Sequence, residues 1–293
     1  MSHANKLKDT WFARLSETNK KMHVDELTIE QFRRDGVVVL RDALDQAELQ
    51  AALSAWQWSI EHPGPLASGL IPGSDHAFQD LCNPDASAVY EPVVRNTPLA
   101  SIARQFWGGS AVWFLYEQVF HKRGENVPRT PWHQDTSYWS LNGSELIGFW
   151  LSFEAIPIEA ALEFVCGSHR STLFNTSRFD SSDPTLPIFD VASDHPGYLP
   201  PLPDIEANRD QHDLVAYATE PGDVIAFHTS MLHGGGATHH GTPERRTLTL
   251  RFFGEDCRIA HSPGPPAPFG KEIRHLAVGD PLRHSRFLKV LER

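Results

Sequence analysis

Two side chains that can bind a metal lie two positions apart within residues 130–139. His133 and Asp135 flank Gln134, and alternate side chains of an extended strand share a face, so the imidazole and the carboxylate would point to the same side. Together they can chelate one divalent ion. A second histidine from elsewhere in the chain would complete two histidines and one carboxylate, a set that binds non-heme Fe(II) and leaves positions open for reactants.

The second histidine is expected after a strand that begins at the turn sequence Pro221-Gly222-Asp223. His233 stands where that strand ends in three glycines, so the backbone there can bend around a site. His228 is the main alternative. It lies mid-strand among apolar residues, where a histidine that packs in the core is the commoner outcome. We therefore predict His233 as the third ligand.

A third stretch, residues 244–252, alternates between polar and apolar side chains. One face carries Arg245, Thr247, Thr249 and Arg251, and the other carries Arg246, Leu248, Leu250 and Phe252. The apolar face should pack against helices, so the polar face would line the interior beside the metal. A buried arginine needs an anion, and guanidinium suits a carboxylate. A solvated face with ordinary salt bridges is the simpler explanation of this pattern alone, but a metal site across the interior favours an anionic cosubstrate.

Composition limits the classes of function. The 293 residues are 40% hydrophobic and 10% aromatic, which supports a substantial core, and the formal net charge of −11 argues against broad nucleic-acid binding. Three scattered cysteines, Cys82, Cys166 and Cys257, do not form a disulfide framework. The first 22 residues are polar, and no later run approaches the length of a membrane span. We expect a soluble, cytoplasmic protein.

Helix signals occupy the first third of the chain. A capping box at Thr28 predicts a helix that ends at Gly36, and a second capping box at Asp45 begins another. A third helix is predicted from Thr97 as N-cap, and residues 62–92 read as a loop.

From residue 111 the pattern changes to short β-branched and aromatic strands. These are predicted at 111–120, around His133, and at 146–153, 161–165, 223–229 and 247–253. One short strand is predicted earlier, at 37–40, between the first two helices. The fold class is therefore mainly β with flanking helices, built on a jelly-roll, cupin-like core. We expect one domain over residues 1–293. Its parts are a mainly helical segment 1–110, a β core 111–256 with an irregular, lid-like insert 171–213, and a tail 257–293.

The ordered set of these motifs resembles the phytanoyl-CoA dioxygenase (PhyH-like) family of Fe(II)/2-oxoglutarate-dependent oxygenases. The similarity spans most of the chain. Its pieces are the opening 27–40, Trp132-His133-Gln134-Asp135, Phe149-Trp150-Leu151-Ser152, Gly167-Ser168-His169, Pro221-Gly222-Asp223 with His233, and Arg245.

The resemblance implies a double-stranded β-helix with iron on His133, Asp135 and His233. It also implies that Arg245 binds the distal carboxylate of 2-oxoglutarate, with O2 as the third reactant. Gln118, Gln134 and Trp150 match positions that line the cosubstrate pocket in relatives, and Arg246 is the alternative to Arg245. Because Asp135 is present, hydroxylation or a related oxidation is favoured over the halogenation of relatives that lack this carboxylate.

The expected substrate is a small molecule, with neither a nucleic acid nor a membrane as partner. Tyr138, Trp139 and Phe149 are predicted to form the wall of its cavity, and Arg251 to meet an anionic group on it. Two alternatives remain open: a cupin-like metalloenzyme that does not use 2-oxoglutarate, and a catalytically silent binding domain on the same fold.

Overall fold

The computed structural model describes residues 22–69, 76–125, 127–180, 182–238, 244–265 and 269–293. Within these residues the strands in chain order are β1 (Val37–Leu40), β2 (Ser68–Gly69), β3 (Ala77–Leu81), β4 (Val112–Arg123), β5 (Thr130–His133), β6 (Leu141–Asn142), β7 (Leu146–Ser152), β8 (Leu162–Val165), β9 (Leu214–Ala216), β10 (Val224–His228), β11 (His233–Gly235), β12 (Glu244–Phe253), β13 (Arg258–Ile259) and β14 (Lys289–Leu291). The α-helices are α1 (Glu26–Asp35), α2 (Gln46–Glu61), α3 (Ser87–Asn96), α4 (Leu99–Phe106) and α5 (Gly270–Ile273).

Most of the strands form one large antiparallel sheet with the order β1-β10-β7-β12-β4-β3-β2, and β14 adds to β4. Its long central strand β12 pairs with β4 on one side and with β7 on the other. A smaller antiparallel sheet has the order β5-β11-β8-β9. Side chains of the two sheets share a core cluster in which Trp150, Ile225 and Phe227 of the large sheet meet Leu162 and Phe164 of the small one. The predicted fold class, a double-stranded β-helix with flanking helices, is confirmed.

The helices cover the outer face of the large sheet. The apolar set of β12, Leu248, Leu250 and Phe252, is fully buried in the same cluster as side chains of α1 to α4. This agrees with the predicted division of β12 into an apolar and a polar face. The division matters for function because it turns Arg245, Thr247, Thr249 and Arg251 toward the small sheet.

The helix caps match the sequence signals in part. Asp45 caps α2 through a complete capping box with Glu48, as predicted. The N-cap of α1 is Asp25 rather than Thr28, because the carboxylate of Asp25 accepts hydrogen bonds from both the amide and the hydroxyl of Thr28. Gly36 ends α1 in the left-handed conformation, with φ 82°, as its sequence predicted.

The prediction of a loop over residues 62–92 was wrong in part, because this segment is not wholly irregular. It contains the strands β2 and β3 and the start of α3, a helix with Pro92 inside it. The proline inside it concealed this helix in the sequence. The following helix, α4, starts at Leu99, with Pro98 rather than Thr97 at the N-cap.

The insert, residues 171–213, has little regular structure, as predicted. Its end packs on the small sheet, where Leu202 and Ile205 join Trp132 and Leu232 in a buried cluster. In the tail, β14 pairs with β4, and Phe287 is buried in a cluster with Trp113 of β4 and Phe253 of β12. The division into parts with these boundaries stays a prediction, and most of residues 1–24 lie outside the described residues.

Among the described residues, the structure contains no helix with the length and apolarity needed to cross a bilayer. Cys82, Cys166 and Cys257 are free thiols.

Candidate metal centre and its cavity

His133, Asp135 and His233 converge at one point between the two sheets. Each offers one ligand atom, and these atoms all lie within 4.8 Å of one another. β11 pairs with β5 so that His233 lies directly opposite His133, and the two imidazole rings have centroids 4.2 Å apart. β5 ends at His133, yet Gln134 keeps an extended backbone before a short 3-10 turn, so Asp135 still faces the same side as His133.

Both imidazoles are oriented by the backbone. Nδ1 of His133 lies 2.8 Å from the carbonyl oxygen of Pro131, and Nδ1 of His233 lies 3.0 Å from that of Met231. A carbonyl only accepts, so Nδ1 of each ring carries the proton and donates it. This leaves the Nε2 lone pairs free to bind a metal, the usual arrangement of metal-binding histidines.

The carboxylate of Asp135 is held by Arg251. Nε and Nη2 of Arg251 both donate to Oδ2 of Asp135, at 2.9 and 2.8 Å. Oδ1 lies 3.7 Å from Nε2 of His133. Nη1 of Arg251 is buried without a hydrogen-bond partner, and the guanidinium lies 4.9 Å from the centre of the Tyr116 ring. Arg251 was predicted to meet an anionic group of the substrate. In the structure its anionic partner is Asp135 of the protein itself.

The site favours neutral imidazoles and an ionised carboxylate. Burial lowers the pKa of His133 to about 3, and the proximity of His233 adds to this effect. Burial also lowers the pKa of His233. Burial alone would raise the pKa of Asp135. The charge of Arg251, the two neighbouring imidazoles and the hydrogen bonds from Arg251 together outweigh burial, so the net pKa is below its usual value. Two neutral nitrogens and one anionic oxygen are the donor set that a divalent non-heme iron takes.

His228, the alternative third ligand, lies elsewhere. It is buried, its Nδ1 accepts a hydrogen bond from the amide of Ser230, and its ring lies 5.3 Å from that of His169. Burial, with His169 as a further cause, lowers the pKa of His228 to about 4. It is a neutral core histidine.

A cavity of about 450 Å³ opens over the three ligands. The whole polar face of β12 lines it: Arg245, Thr247, Thr249 and Arg251. Arg245 is 4% exposed and donates to the carbonyl of Ala160. Among the described residues no carboxylate lies within salt-bridge distance of Arg245, and burial lowers its pKa to about 10, still ionised at neutral pH. A buried cation of this kind requires an anion.

Lys122 is a second buried cation in the cavity wall, which the sequence reading missed. It lies opposite Arg245 on the neighbouring strand β4. Its ammonium donates to the carbonyl oxygens of Pro128 and Gly236 and to the hydroxyl of Thr130. Burial, followed by the charge of Arg245, holds the pKa of Lys122 well below its usual value. The alternation of side chains along β4 could have predicted it, because Lys122 lies on the same strand face as Gln118.

Of the three other residues predicted to line the cosubstrate pocket, two line the cavity and one does not. Gln118 and Trp150 line the cavity; Gln118 donates to Gln79, and the Trp150 ring lies 5.7 Å from the guanidinium of Arg245. Gln134 points away from the cavity. Its amide donates to the carbonyl of Ser230 and accepts from the amide of Phe174, so it ties β5 to the insert. The alternation that turns Asp135 inward turns Gln134 outward, which removes the geometric basis for that prediction.

Two further predictions concern neighbouring side chains. Tyr138 and Trp139 line the cavity, as expected, whereas Phe149 lies in the core beneath the helices and contacts Phe252. Arg246, the alternative to Arg245, lies on the outer face of β12, where it pairs with Glu154.

A family model described as phytanoyl-CoA dioxygenase (PhyH) matches residues 32–247. The chain belongs to this family. The matched range contains all three candidate ligands and Arg245. The resemblance drawn from the sequence motifs is thus confirmed.

Solved structures share the fold of this PhyH-family chain. The non-heme alpha-ketoglutarate-dependent carbocyclase SnoK from nogalamycin biosynthesis has a TM-score of 0.66 at 18% identity, covering 90% of this chain and 96% of that one. The epimerase SnoN from the same biosynthesis has a TM-score of 0.66 at 18% identity, covering 92% and 98%. EctD from S. alaskensis, with 2-oxoglutarate and 5-hydroxyectoine, has a TM-score of 0.64 at 20% identity, covering 94% and 89%. A comparison with curated protein sequences finds no match.

Proposed function

We propose that the protein is an Fe(II)- and 2-oxoglutarate-dependent dioxygenase that oxidises an unactivated C–H bond of a small-molecule substrate, with succinate and CO2 as coproducts. The convergence of three ligand atoms from His133, Asp135 and His233 within 4.8 Å is the observation that carries the proposal. Family membership and structures of similar fold that hold iron or 2-oxoglutarate support it. Hydroxylation is the expected outcome.

Arg245 is the residue that would bind the cosubstrate. Its buried guanidinium lines the same cavity as the triad and has no carboxylate partner among the described residues. 2-Oxoglutarate has a carboxylate at each end, so one end can reach the metal while the other pairs with Arg245. The hydroxyls of Thr247 and Thr249 on the same strand face can donate to it as well.

Iron(II) with 2-oxoglutarate and O2 supplies an oxidant strong enough to take hydrogen from a C–H bond. The protein orients the reactants and excludes water from them. Backbone carbonyls fix the two imidazoles, and Arg251 fixes the carboxylate. Thr176 and Phe179 of the insert close the cavity on one side.

A second candidate outcome is removal of hydrogen from the substrate without hydroxylation. Two of the structures of similar fold are a carbocyclase and an epimerase. Both outcomes need the same metal ligands and the same cosubstrate, so they differ only in the fate of the substrate after hydrogen removal. Product mass distinguishes them, because hydroxylation adds one oxygen atom and epimerisation adds none.

The decisive experiment measures conversion of isotopically labelled 2-oxoglutarate to succinate by protein reconstituted anaerobically with Fe(II) and then exposed to air. Wild-type protein should form succinate slowly without any primary substrate. His233→Ala should abolish both iron retention and succinate formation, whereas the matched control His228→Asn should keep both. Normal turnover by His233→Ala would overturn the proposal.

The same experiment addresses the two alternatives. A metalloenzyme that does not use 2-oxoglutarate would retain iron on the triad but form no succinate. A silent binding domain would retain no iron after reconstitution.

A further inference from the structure

The cavity above the metal ligands has a charged floor and an apolar outer part. Only four lysine, arginine, aspartate or glutamate side chains line it among the described residues: Lys122, Asp135, Arg245 and Arg251. Asp135 and Arg251 neutralise each other through two hydrogen bonds. The ammonium of Lys122 is satisfied by three oxygen atoms. Under the proposed function, Arg245 is occupied by 2-oxoglutarate. The described residues of the cavity then offer the primary substrate no unpaired charge, and Nη1 of Arg251 is left as an N–H donor without a partner.

The outer part of the cavity consists of apolar and aromatic side chains. Leu66, Ile188 and Phe189 line it and are 45%, 41% and 36% exposed, so they form its mouth. Tyr138 lies deeper, and its hydroxyl is used in a 2.7 Å hydrogen bond to the carbonyl of Ser177. Exposed apolar side chains grouped around an opening are typical of a surface that a ligand covers.

Phe179 brings the apolar part of the cavity next to the metal ligands. Its ring lies 5.1 Å from that of His133, edge to face, and 6.5 Å from that of Tyr138. Its backbone has φ 57°, a left-handed conformation that costs a non-glycine residue roughly 1–2 kcal/mol. Such strain persists only where the surrounding structure imposes it, and it clusters at functional sites.

The surrounding loop does impose this conformation. The amide of Phe179 donates to Oγ of Ser177. The neighbouring Arg178 holds the loop closed, since its amide bonds the carbonyl of Leu186 and its guanidinium bonds that of Pro187 twice. The loop therefore holds the ring of Phe179 next to His133 in a strained backbone conformation. A loop without a role at the site would not need this strain.

From this distribution of charge we infer that the primary substrate is an uncharged, mainly apolar small molecule, and that Phe179 packs against it and determines specificity. An ionic group in the outer cavity would be desolvated without a partner, which is strongly unfavourable. An aromatic or alicyclic ring system gains from contact with Phe179, Tyr138 and the mouth residues. The inference rests on the proposed function, because 2-oxoglutarate must occupy Arg245.

Three probes with one ring system and different charge test it: 2-naphthalenemethanol, 2-naphthoate and 2-naphthylmethylammonium. Calorimetry measures their binding to protein loaded anaerobically with Fe(II) and 2-oxoglutarate. The neutral alcohol should bind at least about tenfold more tightly than either ion. Equal or tighter binding of an ion, or no binding of the alcohol up to its solubility limit, would overturn the inference.

A pair of variants in the same loop tests the role of Phe179. Phe179→Ala should weaken binding of the alcohol about tenfold. Leu186→Ala is the matched control, because Leu186 is an exposed apolar residue of the same loop that does not line the cavity. Equal affinities for the alcohol in the two variants would contradict the role of Phe179.

The proposed function and this inference can fail separately. Succinate formation without any probe depends on the triad and Arg245 alone. Its absence would reject the proposed function, whereas its presence together with preference for a charged probe would reject only the substrate class.

Discussion

Arg251 binds Asp135 through one oxygen only: Nε and Nη2 of the guanidinium both donate to Oδ2. The other oxygen, Oδ1, remains on the side of the two imidazoles, 3.7 Å from Nε2 of His133. Because Oδ2 is engaged, the geometry favours a carboxylate that offers a metal a single oxygen. A carboxylate that offered both oxygens would remove a position that a reactant needs.

Replacing Arg251 should therefore weaken metal binding without removing a ligand. For Arg251→Gln we expect a loss in affinity for Fe(II) of roughly 10–100-fold, the usual effect of removing a group that orients a ligand. Arg251→Lys should restore part of it, since the ammonium can still pair with Asp135. Calorimetric titration with Fe(II) under anaerobic conditions measures this.

Arg246→Gln is the control for Arg251→Gln, because Arg246 lies on the opposite face of the same strand. If Arg251→Gln bound Fe(II) as tightly as Arg246→Gln does, the ion pair would have no part in orienting the carboxylate.

Two adjacent arginines distinguish cosubstrate binding from general loss of charge. Arg245→Ala should raise the KM for 2-oxoglutarate on the order of 100-fold, because it removes a desolvated charge that pairs with a carboxylate. Arg246→Ala breaks the outer ion pair with Glu154 and should leave this KM within a factor of about two. Steady-state succinate formation measures both. Equal KM values in the two variants would refute the assignment of Arg245.

Gly236 provides a test that leaves Arg245 in place. A Cβ atom at Gly236 would lie 1.8 Å from Nη2 of Arg245, so Gly236→Ala must displace the guanidinium and should raise the KM for 2-oxoglutarate. Gly109→Ala is the control: Gly109 also has a positive φ, of 112°, but its Cβ would meet nothing within 4 Å. Both variants should lose roughly 1–2 kcal/mol of stability from backbone strain. Only Gly236→Ala should alter the KM, and an effect of similar size in Gly109→Ala would show that strain alone is responsible.

The buried, neutral His228 should make stability depend on pH. Its pKa is about 4 in the folded protein and about 6.5 in an unfolded chain. Between these values the unfolded state binds more protons, so the free energy of unfolding falls as the pH drops from 6.5 to 4, by at most roughly 1.4 kcal/mol per pH unit from this residue.

Urea unfolding of the metal-free protein between pH 5 and pH 8 measures this dependence. His228→Asn should show a shallower slope below pH 6.5 and an unchanged slope between pH 7 and pH 8. An identical slope in both proteins below pH 6.5 would mean that His228 is not held neutral by burial.

Local sequence patterns predicted the metal ligands and the orientation of β12 because both depend on strand periodicity. Alternation placed His133 and Asp135 on one face, and it placed Arg245 inside and Arg246 outside. The glycines after His233 indicated an unusual backbone, and Gly235 and Gly236 both have positive φ.

Two features of the site that the sequence did not predict depend on contacts between distant segments. Nothing local to Arg251 shows that Asp135, 116 positions away, is its partner. The conformation of Phe179 is likewise set by hydrogen bonds across its loop, and its irregular segment has no periodicity from which a direction could be read. Gln134 is different, because the same alternation that located Asp135 contained the information needed to turn Gln134 outward.

His133 on β5 pairs directly with His233 on β11. A metal bound by both side chains would therefore also stabilise the contact between these two strands. An ion held by both rings acts as a cross-link that closes the whole intervening length of chain, insert included. Such an ion would bind the folded chain more tightly than the unfolded one, so its occupancy would add to stability by mass action. Loss of iron would then loosen the scaffold that carries the insert, and chelation would expose that segment to proteases.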